Sequence, residues 1–223
     1  MPDRTCDAVL PDIDGTLVDS NYLHVDAWSR ALEEVGHPAA GWRIHRAIGM
    51  DSGRLLQQLL GDDADRLGGE AKSRHGEHYR RQQHRLRSFD RAQDLLRTLA
   101  DRGFQVVLAT SAPQEEFDVL MDVLRPGGAV ATVTTSEDVS TAKPAPDVVQ
   151  VALRRAGVDA DRAVMVGDAV WDVESAGRAG VRCIGVRSGG VAAAELRRAG
   201  AVEVYDDPGE LLDHLDDGPL YRR

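Results

Sequence analysis

The chain has 223 residues, 42% of them hydrophobic and 29% charged, a balance too apolar for a disordered segment and ordinary for a folded one. At about 100–200 residues per domain, this length allows one large domain or a core with a modest insert. A net charge of −10 argues against a non-specific nucleic-acid binder, and no apolar run approaches the roughly 18 residues that a membrane helix needs.

The opening residues Met1-Pro2-Asp3-Arg4-Thr5-Cys6-Asp7 place acids where a signal peptide has its basic region. Cys6 and Cys183 form no metal or redox spacing, which fits a reducing compartment. The expectation is a cytoplasmic protein, monomeric or a small homo-oligomer, with neither nucleic acid nor membrane as partner.

In chain order, short apolar runs that read as strands occur at 8–10, 105–109, 129–133, 163–166 and 181–186, with a weaker one at 201–205. Helix-length segments with 3.6-residue periodicity lie between them. Continuous apolar strands alternating with helices predict a parallel sheet buried on both faces, an α/β fold of Rossmann-like type. Pro144 and Pro146 precede a helix from Asp147, and Gly157 and Gly180 stand where helices should stop.

One stretch breaks this rhythm. Between Asp19 and Ser88 no strand is apparent. Leu23, Ala27, Ala31 and Val35 mark one amphipathic helix, and Leu55, Leu56, Leu59 and Leu60 another. The organisation expected is an α/β core of residues 1–18 and 89–223 with an all-helical insert of residues 19–88. The end of the insert is basic: residues 71–91 carry seven Lys or Arg against two acids. Such a face reads either as a solvated surface or as one that steers an anionic substrate.

The chemistry gathers at strand ends. Asp12-Ile13-Asp14-Gly15-Thr16 follows the first strand, Thr110-Ser111 the second, and Gly167-Asp168 the fourth, with Asp172 four residues on. Lys143, one of only two lysines, sits in the loop before the helix at Asp147. In an open α/β sheet, ligands bind beyond the carboxyl ends of the strands. Carboxylates gathered there repel one another, so a divalent cation is expected, and hard oxygen donors suit Mg²⁺. A carboxylate nucleophile would take a phosphoryl group, a second carboxyl would serve as acid and base, and a cation with a hydroxyl would clamp the phosphoryl oxygens.

These four motifs in order resemble the haloacid dehalogenase-like superfamily. Asp12-Ile13-Asp14-Gly15-Thr16-Leu17-Val18-Asp19-Ser20 is similar to its first motif and Leu108-Ala109-Thr110 to its second. Lys143-Pro144-Ala145-Pro146-Asp147 is similar to the third and Gly167-Asp168-Ala169-Val170-Trp171-Asp172 to the fourth. The helical insert resembles the cap of the subclass that includes phosphoglycolate phosphatase and β-phosphoglucomutase.

The resemblance implies a Mg²⁺-dependent phosphatase acting on a small phosphorylated metabolite. Asp12 would be nucleophile and metal ligand. Asp14 would be acid/base and bind the metal through its carbonyl, and Asp168 would complete the ligands. Thr110, Ser111, Lys143, Gly15 and Thr16 would hold the phosphoryl group, with Asp172 supporting Asp168 or Lys143. Asp14 sets dehalogenation aside, because the superfamily's dehalogenases lack that second carboxylate.

His24 aligns with a cap histidine of the mutase-like branch and joins the substrate-binding set. Trp28 reads as packing within the insert. Residues 44–54, including Ile44, Ile48, Met50, Asp51, Ser52 and Arg54, are the region expected to face substrate. Where the mutase branch carries a Lys and an Arg for a second phosphate, this chain has Ile48 and Ser52, which favours a phosphatase over a mutase. A third reading is a HAD fold without catalysis, which only Pro11 motivates. Proline cannot donate to a strand ladder, so a cost at Asp12's geometry is expected. Ala142 departs from the family pattern without visible consequence. The Arg187-Ser188-Gly189-Gly190 loop reads as a plain turn.

Overall fold

The computed structural model describes residues 5–135, 138 and 143–221, so Ala142 and the first four residues lie outside them. The chain divides into two compact units: Met1–Asp19 with Arg87–Arg223, and Ser20–Leu86. The two connecting strands run side by side, with the Asp19 amide donating to the Arg87 carbonyl at 2.9 Å and Val18 bridging Ser88 antiparallel.

The first unit holds a six-stranded parallel sheet: β1 (Ala8–Pro11), β2 (Gln105–Ala109), β3 (Thr132–Thr134), β4 (Ala163–Gly167), β5 (Arg182–Val186) and β6 (Glu203–Tyr205). Their order is β3-β2-β1-β4-β5-β6, the Rossmann order with its switch point between β1 and β4. Successive side chains of a strand point to opposite faces, and here both faces are buried. Ala8, Leu10, Val107, Ala109 and Met165 pack with Val148, Val149 and Ala152 of α7 (Asp147–Ala156), Val173 and Ala176 of α8 (Val170–Arg178), and Leu196 of α9 (Ala193–Ala199). The alternate residues Val9, Val106, Leu108, Val164 and Val166 are equally buried. On the unit's other helices, Leu95, Leu96 and Leu99 of α5 (Ala92–Asp101) and Leu211 of α10 (Pro208–Asp213) are buried, and α5 packs on β2 and α10. Each such side chain removed from water stabilises the fold by about 1.5–3 kcal/mol. Burial on both faces is why the strands read as unbroken apolar runs rather than alternating ones.

Helix ends follow local chemistry. Gly157 ends α7 at φ 64°, where a Cβ would be strained, and the Asp207 carboxylate caps α10 by accepting from the Glu210 amide at 2.9 Å. The third strand is shorter and later than 129–133. Pro126 and Gly127 (φ 59°) wind residues Gly127–Ala129 into a 3₁₀ turn, which postpones the strand.

At Pro11 the expected cost does not reach the next residue. Pairing with β2 covers Ala8 and Val9 and stops two residues before the proline, as a residue without an N–H dictates. The β4 ladder continues through Pro11 opposite Val166, and the Asp12 amide donates to the Val166 carbonyl at 2.8 Å. Asp12 is therefore held from the β4 side.

The second unit is helical: α1 (Asn21–Glu34), α2 (Gly41–Ala47), α3 (Ser52–Leu60) and α4 (Ala64–Gln82). Its core joins Trp28, Ala31 and Leu32 of α1 to Ile44 and Ala47 of α2, Ile48 just beyond it, and Leu55, Leu56, Leu59 and Leu60 of α3. Trp28 is packing, as expected. Ile44 and Ile48 belong to this core rather than to a substrate-facing surface, and Asp51 caps α3 by accepting from the Gly53 and Arg54 amides. The face that α4 buries consists of Gly68, Ala71, His75 and Tyr79, spaced three or four residues apart.

His75 and His24 are part of a set of stacked rings. Trp28 stacks on His75 with centroids 4.1 Å apart, His24 on Tyr79 at 3.9 Å, and His24 Nδ1 lies 3.1 Å from His75 Nε2. Burial, with His24, His78 and Lys72 adding like-charge repulsion, lowers the His75 imidazole to about 2. In the unfolded chain its ordinary pKa is about 6.5. Between those values the unfolded state binds the extra proton, so stability is present above pH 6.5 and is lost as pH falls, by up to about 1.4 kcal/mol per pH unit. His75→Phe keeps the stack and removes the proton site. Thermal melts at pH 7 and pH 5 should show the wild-type helical unit losing about 5 °C or more beyond the loss in His75→Phe. Equal losses in the two proteins would contradict a neutral buried His75.

Candidate active site

The site is built where β1, β2 and β4 end. Asp12 leaves the end of β1, Thr110 the end of β2 and Asp168 the end of β4; all three side chains are buried. Beyond Asp12 the chain folds back on itself. The Thr16, Leu17 and Val18 amides all donate to the Ile13 carbonyl, and Gly15 takes φ 70°, a conformation that costs glycine nothing. This turn carries Asp14, which is half-buried, and delivers the Thr16 hydroxyl to Asp168 Oδ1 at 2.9 Å.

At the centre lies Lys143, with 1% of its surface exposed. Its ammonium is 2.9 Å from Asp12 Oδ1 and 2.7 Å from Asp172 Oδ1. Burial alone would lower this ammonium, yet the two carboxylates hold it well above its ordinary value. The same burial pushes the Asp12 carboxyl up to about 7 against the pull of Lys143, with Asp172 and Asp14 adding to the rise. Asp172 also accepts from the Ala169 amide at 3.0 Å, which fixes the first turn of α8. The Thr110 hydroxyl accepts from the Ala112 amide at 3.0 Å, while the Thr110 amide donates to the Thr134 carbonyl. The Ser111 hydroxyl is buried with no hydrogen-bond partner among the described residues.

Carboxylate oxygens of Asp12, Asp168 and Asp172 all lie within 4.8 Å of one another. Asp172 takes both Lys143 and the Ala169 amide, whereas Asp12 takes Lys143 through Oδ1 and Asp168 takes the Thr16 hydroxyl through Oδ1. One ammonium cannot balance three buried carboxylates, and this hard-oxygen set fits a divalent ion such as Mg²⁺.

The structure thus joins Asp12 and Asp172 through Lys143 and Asp168 to Thr16 by direct contact, with the three carboxylates within 4.8 Å of one another. His24 lies in the helical unit, where it meets His75 and Tyr79. Ser188 is a contact that the sequence did not reveal. The loop read as a plain turn sends the Ser188 hydroxyl to the Gly15 carbonyl at 2.7 Å, across 173 positions, and so braces the turn that carries Asp14.

The chain is similar to known proteins over most of its length. A family model described as haloacid dehalogenase-like hydrolase matches residues 9–186. The chain belongs to the haloacid dehalogenase-like hydrolase family. It is 32% identical over 218 residues to a phosphoglycolate phosphatase of Rhodospirillum rubrum, covering 93% of this chain and 90% of that one. It is 25% identical over 218 residues to the pyrophosphatase PpaX of Bacillus velezensis, covering 97% and 96%. A solved hydrolase from Pseudomonas syringae superposes with a TM-score of 0.89 at 37% identity, over 94% of this chain and 98% of that one.

Full burial of Lys143 makes it matter to folding as well as to catalysis. Two carboxylates that lose a shared buried ammonium cost about 3–5 kcal/mol. Lys143→Ala should therefore lower the melting temperature by several degrees as well as abolish the site, which a melt against wild type checks.

Gly167, the last residue of β4, has a more specific constraint. A Cβ there would lie 2.4 Å from Asp172 Cβ and 2.5 Å from Asp172 Cγ. The obstacle is the base of a short buried side chain, so Asp172 has to move, and Lys143 with it. Gly167→Ala should fold yet lose most of the activity of the site, roughly 10²-fold, as for a misplaced electrostatic group. A soluble Gly167→Ala protein with wild-type turnover would show that Asp172 need not sit where it does.

Proposed function

We propose that this chain is a phosphatase that moves the phosphoryl group of a small phosphorylated metabolite first to Asp12 and then to water. The observation that carries the reading is the buried Lys143 ammonium bound to Asp12 and Asp172, beside Asp168. The names of the relatives, phosphoglycolate phosphatase and pyrophosphatase, support a small phosphorylated substrate.

The roles are those that the family resemblance implies for these positions. Asp12 attacks phosphorus; the bond to the leaving oxygen breaks, and Asp14 gives that oxygen its proton. Asp14, now a carboxylate, takes a proton from water as the water attacks phosphorus, and Asp12 leaves as a carboxylate. Lys143, Thr110 and Ser111 hold the phosphoryl oxygens, with the unpartnered buried Ser111 hydroxyl free to donate. Gly15 supplies the turn, and Thr16 orients Asp168. Asp12, Asp168 and the Asp14 carbonyl would hold Mg²⁺, which supplies positive charge against the phosphoryl oxygens when bound.

The helical unit favours hydrolysis over a mutase reaction. Ile48, at a position where the mutase branch carries a cation, is 9% exposed and part of the apolar core. A charge there would be buried without a partner. Arg54 is exposed on the first turn of α3. His24 is assigned to substrate binding on the family resemblance.

The test is phosphate release from a panel of phosphomonoesters, 2-phosphoglycolate, a hexose 1-phosphate and p-nitrophenyl phosphate among them, with pyrophosphate alongside. Free phosphate is the expected product; an isomerised hexose phosphate would favour the mutase. Chelation with EDTA should remove turnover and added Mg²⁺ restore it, since carboxylates do not approach a phosphate dianion uncompensated. Asp12→Asn should abolish turnover, because an amide oxygen is a poor acceptor of the phosphoryl group. Full activity after chelation, or in Asp12→Asn, contradicts the assignment.

A further inference from the structure

Lys143 is held at both ends by one helix. Asp172, in the first turn of α8, takes its ammonium. Three and six residues further along the same helix, Ser175 and Arg178 take the main chain of the two residues that follow Lys143. The Ser175 hydroxyl donates to the Ala145 carbonyl at 2.7 Å, and Arg178 Nη1 donates to the Pro144 carbonyl at 2.6 Å. Positions 172, 175 and 178 share one side of a helix. Ser175 is fully buried, and Arg178 is steadied through its other nitrogen by Glu174 Oε2 at 2.9 Å, one turn back.

The segment being held has few means of holding itself. Pro144 and Pro146 lack amide hydrogens, so half of Lys143–Pro146 cannot donate from the main chain. Lys143 has a long, flexible stem, and its ammonium is useful only where it balances Asp12 and the developing phosphoryl charge. Fixing the carbonyls of the next two residues, Pro144 and Ala145, restricts where that stem starts.

We propose that Ser175 and Arg178 are positioning residues that place the Lys143 ammonium in the active site by clamping the Pro144 and Ala145 carbonyls to α8. The bearing on turnover rests on the phosphatase reading above; the clamp on Lys143 does not.

The chain offers a readout free of activity, because Lys143 and Lys72 are its only lysines and Lys72 is exposed. Acetic anhydride labelling, read by peptide mass spectrometry, reports access to Lys143 with Lys72 as internal reference. In the Ser175→Ala/Arg178→Met double variant, Lys143 labelling relative to Lys72 should rise several-fold. With p-nitrophenyl phosphate, kcat should fall about tenfold or more while KM changes little, since the displaced charge matters most in the transition state. Arg178→Lys, which keeps a donor, should recover part of both. Should the double variant not fold, Ser175→Ala and Arg178→Lys, each alone, read the same two quantities.

Unchanged Lys143 labelling in a folded double variant overturns the clamp, whatever happens to kcat. Raised labelling with wild-type kcat overturns its bearing on the reaction. Raised labelling in a protein whose wild type releases phosphate from no substrate keeps the clamp and removes the phosphatase reading instead.

Discussion

A single buried ammonium organises this molecule's chemistry. Asp12, Asp168 and Asp172 are brought to within a few ångströms of one another in a place that water barely reaches. Carboxylates so placed raise one another's cost of ionisation, and burial raises it further. Lys143 offsets part of that cost by touching two of them. The cluster remains over-negative around a single positive charge, and that residual field is what a metal cation and the electron-poor phosphorus of a substrate would meet. Burying an ion pair often contributes little net stability, so a set like this fits a functional role better than a structural one.

The sheet makes the cluster possible. In a parallel sheet every strand delivers its carboxyl end to the same edge, and at the switch point between β1 and β4 the crossover helices leave to opposite faces. That is where Asp12 and Asp168 emerge, on neighbouring strands held in register from Ala8 opposite Ala163 to Pro11 opposite Val166. Pro11 fits this arrangement. It gives up pairing towards β2, where the ladder ends early, and leaves the β4 side intact, which is the side that fixes Asp12 relative to Asp168.

Much of this was legible in the sequence because it is local. Apolar runs ending in Asp12, Thr110 and Asp168 announce both the strands and their chemical ends. The rarity of lysine isolates Lys143. The length of 19–88 without a strand signal announces an insert. What escaped is non-local or carried by unusual residues. No spacing rule joins Ser188 to Gly15. Ser175 and Arg178 were readable as one face of α8, but what that face touches depends on how the Pro144–Ala145 loop folds back. The buried face of α4 is made of Gly, Ala, His and Tyr, so it yields no apolar stripe and its basic remainder dominates the reading. Ile44 and Ile48 were assigned to the substrate by resemblance, and their apolar character alone would have placed them in the core.

The two units handle buried polarity in opposite ways, and their sensitivities differ accordingly. The α/β unit buries charge and compensates part of it, with one ammonium among three carboxylates and the Ala169 amide donating to Asp172. Its weak point is the loss of Lys143, which leaves buried carboxylates uncovered. The helical unit keeps its buried polar groups neutral: His75 is an uncharged ring hydrogen-bonded to His24 and stacked on Trp28. Its weak point is a proton. A group that must stay neutral to remain buried behaves as an aromatic packing residue at neutral pH and as a buried charge in acid. A partly compensated charge cluster in one unit and an uncharged buried imidazole in the other therefore give the helical unit, which carries none of Asp12, Asp168 and Asp172, an acid-sensitive group of its own.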